Sequence, residues 1–375
     1  MNFTKYSKLL VLILITALTS LFFWFSFYLN LPQKIGFPAT NLETIFANYD
    51  GPNYMVIAKC GYQKSCIASH FSLPIPLEYY PAHLPGFPLL IKYFSLYTST
   101  PKAMLLASFF GSIFFTTVSF VFFKLFLNPK ISFYLSLLMI FFPSRLLVLR
   151  LIGAPETWFI GFTLLSIILF YKQKYLISAV FASLAQFFKS PGILLFFAYF
   201  IVILLNYLKT KKINWRVLYY LLIPITALTI FYSYYLQTGD FLAYFHSGDN
   251  IHLGFLPFTV FISNHTWINT IWLEDVIYLY LFALIGVYRL FRKYRLSLIT
   301  IYPLIFTFAS IFIGHRDISR YIAPIYPFII LIFSKFLFKK NIKIIFLIIF
   351  PAIILFTINF IIGNTAPIAD WTPYL

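Results

Sequence analysis

The sequence predicts an all-α polytopic membrane protein, folded as one integral-membrane domain over residues 1–375. Three observations carry that prediction. The chain is 61% hydrophobic and 22% aromatic but only 10% charged, where soluble chains are about half apolar and a quarter charged. Its mean hydropathy is +0.87. Its apolar segments are long and unbroken rather than alternating, so helices, not a barrel, satisfy the backbone in lipid.

Length and hydropathy place about eleven transmembrane spans. They run roughly over 9–29, 103–125, 131–149, 155–171, 175–189, 191–208, 217–236, 274–290, 296–313, 321–338 and 344–362. The first is long and no small-x-small cleavage site follows it, so it reads as a retained helix. Charge sets the orientation. With the N-terminus cytoplasmic, the inner loops carry Lys5, Lys8, Lys124, Lys130, Lys172, Lys174, Lys209, Lys211, Lys212, Arg216, Arg289, Arg292, Lys293, Arg295, Lys335, Lys339, Lys340 and Lys343, which is 18 of the 28 basic residues. All 10 acidic residues (Glu43, Asp50, Glu78, Glu156, Asp240, Asp249, Glu274, Asp275, Asp317 and Asp370) fall at or near the outer face. The net charge of +18 is therefore a topology signal. It is not a nucleic-acid footprint, and no nucleic-acid partner is expected; juxtamembrane bases also attract anionic membrane lipids.

Two long outer segments interrupt the spans, at about 30–102 and 237–273. No internal repeat is visible. In the first segment "NLETIFANY" has Leu42, Ile45, Phe46 and Tyr49 at helical spacing behind Asn41, an N-cap type. "PNYMVIAKCGY" places Pro52 at a helix start and Gly61 just past its end, with Tyr54, Ile57 and Ala58 as the apolar side. Both read as short amphipathic helices at the outer interface. "LEYYPAHLPGFPLLIKYF" then leads back into the membrane. Cys60 and Cys66 share this segment; a disulfide and two free thiols are both open readings. No metal-type Cys/His cluster occurs, so no cofactor is expected, and a weakly held divalent ion stays open.

Several polar residues stand out against so apolar a background. Asp50 precedes Gly51-Pro52 at a helix start: it reads as a cap or as a fixed, ionised general base, and the two roles are compatible. Glu156 opens the fourth span, where a carboxylate either favours the helix dipole or marks a functional site. Lys189 sits between two apolar helices, as a snorkelling residue or as an anion site. "GHRDISRY" packs His315, Arg316, Asp317 and Arg320 into one outer turn. Arg316 and Arg320 are four apart and would face one way on a helix, with Asp317 neutralising one of them or the pair free to hold a phosphate. Arg145 and Arg150 also break the positive-inside trend. His70, His83, His246, His252 and His265 lack paired spacing and read as structural. "HSGDNIH" (246–252) is a weaker metal pattern.

These residues resemble, in order, the PIG-V-like mannosyltransferases, the family of the second GPI mannosyltransferase and its prokaryotic relatives, within the wider GT-C superfamily of lipid-sugar glycosyltransferases. "NYDGPNYMVIAKCGY" followed by "YYPAHLPGFPLL" is similar to that family's first outer loop, with Asp50, Tyr54, Ile57, Ala58, Gly61 and Tyr62 fitting and Tyr49 standing where Trp is usual. "FFPSRLLVLRLIGAPETWF" resembles its Phe-Pro segment and acidic turn, with Glu156 as the acid. "LISAVFASLAQFFKSPGILL" is similar to its Ala-rich helix, with Lys189 replacing Arg. "SRYIAPIYPFII" resembles its late Arg-Tyr/Phe-x-x-Pro segment. The resemblance spans most of 45–330.

The resemblance implies a GT-C-type fold and transfer of a hexose, mannose by analogy, from a polyprenyl-phosphate sugar to a glycan, lipid or protein acceptor on the extracytoplasmic face. It implies Asp50 as catalytic base; Glu156 is expected as the second residue of the catalytic site, orienting the acceptor or the neighbourhood of Asp50. Tyr54, His83, Lys189, Arg316 and Arg320 are then the expected substrate-binding residues. The rival readings are a transporter or flippase of lipid-linked sugars, which would place ionisable groups mid-helix along a pathway, and a non-catalytic scaffold.

Overall fold

The computed structural model describes residues 5–48, 50–212, 214–248, 252–262 and 273–375. Tyr49, Asp249 and His265 lie outside them, as does the middle of "HSGDNIH". Among the described residues the chain is helical, and pairing is limited to two isolated bridges, Asn48 with Thr365 and Leu253 with Ile313. Five helical stretches are long and apolar enough to cross a membrane: Ser7–Tyr28, Thr100–Lys124, Ser190–Thr210, Trp215–Thr238 and Lys340–Gly363. These mark a membrane-embedded protein. A sixth is reached only by joining two helices across a bend of 69°.

In chain order, α1 (Lys5–Tyr28) leads into the first long loop, which folds into α2 (Leu42–Phe46), α3 (Gly51–Cys60), α4 (Lys64–His70) and α5 (Gly86–Phe94). The loop is tightly specified by sequence. Asn41 caps α2 in a reciprocal box: its Oδ1 accepts from Thr44 N at 3.1 Å, and its own N–H donates to Thr44 Oγ1 at 3.2 Å. α3 starts with Pro52 in its first turn and stops at Gly61. Cys60 and Cys66 are disulfide-bonded, joining the end of α3 to α4.

The expectation of interfacial amphipathic helices is corrected for α3. Every residue from Gly51 to Ala58, and Cys60, is buried, so it packs on all sides against α5, α6 and their neighbours rather than lying on lipid. Its moderate hydrophobicity, with Asn53 buried among apolar residues, hid this in the sequence. α5 is the two-sided element: Phe87, Pro88 and Ile91 are buried while Leu89 and Tyr93 are exposed.

α6 (Thr100–Lys124) is the central post and packs on α1, α5, α7 (Pro129–Phe141) and α9 (Glu156–Tyr171). The expected span 131–149 is broken: α7 ends at Phe141 and α8 (Ser144–Leu151) departs at 69°. Pro143 supplies no N–H and keeps Phe142 extended, which ends the helix. α10 (Tyr175–Phe188) packs along α9, and Lys189 breaks it from α11 (Ile193–Thr210). α12 (Leu222–Thr238), α13 (Glu274–Tyr294) and α14 (Leu298–Ser310) follow.

The expected span 321–338 is also corrected. It divides into α15 (Ile318–Tyr321), a 3-10 turn at Ala323–Ile325, α16 (Tyr326–Ile332) and α17 (Ser334–Leu337), because Pro324 and Pro327 interrupt the hydrogen-bond ladder. α18 (Lys340–Gly363) follows, and the segment after it returns over the first loop: Ala366 N–H donates to Ala47 O at 2.8 Å, and Trp371 packs on Phe46.

Candidate functional site

Four charged residues read separately from the sequence meet at one place. Asp50 stands at the start of α3, Glu156 at the start of α9, Lys189 in the break between α10 and α11, and Arg320 on α15. Each occupies a helix end, where the backbone leaves its ladder and a side chain can project from an otherwise apolar bundle. Arg320 bridges the two acids: its Nη2 is 2.9 Å from Asp50 Oδ2 and its Nε 2.7 Å from Glu156 Oε1. Lys189 Nζ reaches the same Glu156 oxygen at 2.6 Å. Two carboxylates and two cations thus form one continuous network.

The network lines a cavity of about 130 Å³ together with Tyr54, His83, Tyr244, Phe306 and Tyr321. Exposure separates the roles. The Glu156 side chain is 1% exposed, and its Oε2 has no hydrogen-bond partner. The side chains of Asp50 and Lys189 are 23% and 22% exposed, so both present polar atoms to the space. Glu156 is the anchor on which the two cations are aimed.

Asp50 is not a cap. It occupies the N-cap position of α3, but its carboxylate accepts no hydrogen bond from the helix. It turns instead to Arg320 and to His83, whose Nε2 lies 3.6 Å from Oδ1. Burial raises the Asp50 carboxyl, but the Arg320 guanidinium and the His83 ring outweigh that and hold it well below the usual carboxylate range. His83 is itself braced: Tyr62 donates to its carbonyl at 2.7 Å, and the Tyr54 ring meets its imidazole edge-on at 5.0 Å.

Close backbone packing fixes the start of α3. A Cβ on Gly153 would lie 2.2 Å from Met104 Sδ and 3.0 Å from Gly51 Cα. The turn before α9 thus touches the turn that carries Asp50, and a side chain at 153 has to push Met104 aside and press on Gly51. We therefore expect Gly153→Ala to displace Asp50 and to lower the activity of the site by about 10²-fold, as misplacement by an ångström does, with the protein still extracted and monodisperse by size exclusion. Gly192 has the same function beneath Lys189: a Cβ there would meet Gln186 Cα at 2.4 Å.

A second, apolar cavity of about 380 Å³ adjoins the first. Leu84, Ser190, Pro191, Tyr244, Phe306 and Tyr321 line both. Its far walls are Leu194 of α11, Ala227, Ile230 and Phe231 of α12, and Ala309 and Ile313 at the end of α14. Aliphatic residues dominate it, joined by a few rings such as Phe231, Phe245 and Phe306. Tyr244 stands at the junction, its hydroxyl donating to Ser190 Oγ at 2.7 Å.

Other expectations are corrected. Arg316 does not share a face with Arg320; it is exposed and does not line the cavity, because residue 316 precedes the first turn of α15 and helical phase does not reach it. The Asp317 carboxylate forms its ion pair with Arg145 of α8. Arg150 is fully buried and donates to the Ile140 carbonyl at the end of α7. Lys189 does not snorkel. His70 contacts the Cys66 carbonyl at 2.9 Å, His246 pairs with Asp240, and the His252 ring lies 4.6 Å from that of His315. Tyr244, Tyr321 and Phe306 were not singled out in the sequence, where nothing distinguishes them among its 28 Tyr and 49 Phe residues.

Comparison with protein-family models and with curated proteins finds no match to this chain.

Proposed function

We propose that the chain is a multi-pass, inverting membrane glycosyltransferase of GT-C type, with about eleven crossings, a cytoplasmic N-terminus and an extracytoplasmic active site. Its donor is a polyprenyl-phosphate hexose, mannose on the motif resemblance, and its acceptor carries a free hydroxyl. One observation supports this most: Asp50, Glu156, Lys189 and Arg320 converge on a polar cavity that shares six wall residues with an apolar one. A phosphate bearing a sugar on one side and a long lipid on the other has that same division of chemistry.

In this reading the lipid lies along α11, α12 and α14, and the phosphate sits against Lys189 and Arg320. Asp50 takes the proton of the acceptor hydroxyl. The oxygen attacks the sugar C1 from the face opposite the phosphate, and the C1–O bond breaks with its electron pair leaving on the phosphate. The products are an inverted glycoside, a protonated Asp50 and polyprenyl phosphate. Lys189 and Arg320 stabilise the charge that develops on the leaving group.

Arg320 has a further consequence for the base. A carboxylate held so low is a weak proton acceptor. When a donor phosphate draws the guanidinium toward itself, Asp50 loses its strongest counter-charge and becomes more basic. The base is thus armed by the donor, and a hydroxyl arriving first meets a weak one.

The test is a proteoliposome assay with a labelled polyprenyl-phosphate hexose and membrane-extract acceptors. We expect a new, alkali-stable glycosidic product. Movement of the donor across the bilayer without a new bond would move the assignment to a flippase.

A further inference from the structure

Arg145 and Asp317, 172 residues apart, form a buried two-point pair. Arg145 Nε lies 2.9 and 3.1 Å from the two Asp317 oxygens, and its Nη2 also donates to Oδ2. Their side chains are 4% and 11% exposed. Arg145 belongs to α8, and its guanidinium stacks 3.8 Å over the Phe360 ring of α18. Asp317 is the N-cap of α15: its Oδ1 accepts from Arg320 N–H at 3.3 Å and from the Ser319 hydroxyl at 2.9 Å. Its own N–H donates to His315 Nδ1 at 2.9 Å. Burial and the neighbouring His252 push the His315 imidazole down to about 3, so the ring is neutral and can accept that bond.

α15 has four residues, too few to hold its own geometry, since the first helical turn is the unfavourable one. Its orientation has to come from outside. The Asp317 carboxylate binds the backbone of the residue whose side chain enters the polar cavity, and Arg145 fixes that carboxylate to α8 and α18. We infer that Arg145 and Asp317 are a positioning pair that sets where the Arg320 guanidinium lies between Asp50 and Glu156. Neither lines the cavity, and both act through Arg320. The inference rests on the glycosyltransferase reading for its rate measurement and, for its binding measurement, only on the part of that reading that gives the site a polyprenyl phosphate.

Loosening Arg320 also changes the titration of Asp50. The groups facing or near Asp50 are Arg320 and Tyr321 on α15, His83 before α5, Glu156 on α9, Lys189 in its break, Tyr54 on α3, and His315. Of these, Arg320 does most to depress the carboxyl. A displaced guanidinium lets burial raise it, so the acid limb of a reaction that needs ionised Asp50 moves upward.

The experiment uses the full chain in nanodiscs, with Asp317→Asn, Arg145→Lys, Arg320→Ala and the Asp317→Asn/Arg320→Ala double variant. The probe is polyprenyl phosphate. We expect Asp317→Asn to weaken its binding about tenfold, and the double variant to bind no worse than Arg320→Ala, the non-additivity of residues acting through one group. For hexosyl transfer we expect Asp317→Asn, and in the same direction Arg145→Lys, to bring an acid limb up toward about pH 4 that the wild type does not show there, at unchanged folded fraction. Should Asp317→Asn fail to fold, Arg145→Lys, which keeps the charge and loses the fork, decides the matter. Multiplicative binding losses, or an acid limb that stays in place, would overturn the pair. Wild-type transfer by Asp50→Asn would remove Asp50 as the base, and with it the acid-limb readout, leaving the binding cycle to judge the pair; no transfer by the wild type would remove the glycosyltransferase reading instead.

Discussion

Asp50→Asn is expected to lower hexosyl transfer by about 10²–10⁴-fold, the range over which a positioned general base contributes. The substitution keeps the size of the side chain and leaves an oxygen for Arg320, so the fold and the cavity survive. Affinity for polyprenyl phosphate should hold or tighten, since Arg320 is released from an ionised partner. The assay is transfer from a labelled polyprenyl-phosphate hexose in membranes normalised for protein. Transfer near the wild-type level would exclude Asp50 as the base. The wild-type rate should show no acid limb from Asp50 near pH 4, because Arg320 keeps it ionised there. The sign for stability follows. A carboxylate depressed on folding stabilises the native state fully above its unfolded value of about 4, and that contribution fades only as pH falls from there toward the folded value.

Arg320→Ala is expected to have the largest effect on stability. The guanidinium is the shared partner of the buried Glu156 carboxylate and the partly buried Asp50 carboxylate, and its side chain is 10% exposed. Among the described residues, removing it leaves the His83 ring as the charged-pair partner of Asp50 and Lys189 as that of Glu156. Breaking a buried pair by deleting one member costs about 3–5 kcal/mol, which should appear as a marked fall in thermal stability of the detergent-solubilised protein. Transfer should vanish as well. Arg320→Lys is the informative companion: it restores a charge but cannot contact both acids at once, so stability should recover further than activity. A melting temperature unchanged in Arg320→Ala would show that the network contributes little to the fold.

The helices were legible in the sequence wherever composition alone decides them. α1, α6 and α18 match the expected spans closely because long apolar runs leave the backbone one choice. The expected spans 131–149 and 321–338 failed at Pro143, Pro324 and Pro327, residues visible in the sequence but outweighed there by hydropathy. The site divides in the same way. Asp50, Glu156 and Lys189 were readable because each is a lone charge at a predicted break. That Arg320 and not Arg316 enters the cavity was not readable, because it depends on where a four-residue helix begins. The pairing of Arg145 with Asp317 was not readable either. Nothing local links two residues separated in the chain by the helices α9 to α14, and both charges had nearer candidates for partners.

α3 carries a mechanical implication. Its first residue is wedged against Gly153, its last is stapled to α4, and its sides are enclosed. It behaves as a strut clamped at both ends. The spans that wall the apolar cavity are different: the Ser190–Thr210 and Trp215–Thr238 stretches are 22% buried, against 61% for Thr100–Lys124. Most of their surface is left for lipid. Bilayer thickness and tension therefore strain one part of the molecule and spare the other. In the proposed reading, the compliant wall is the one that yields to the lipid tail, while the carboxylate at the end of the strut stays put.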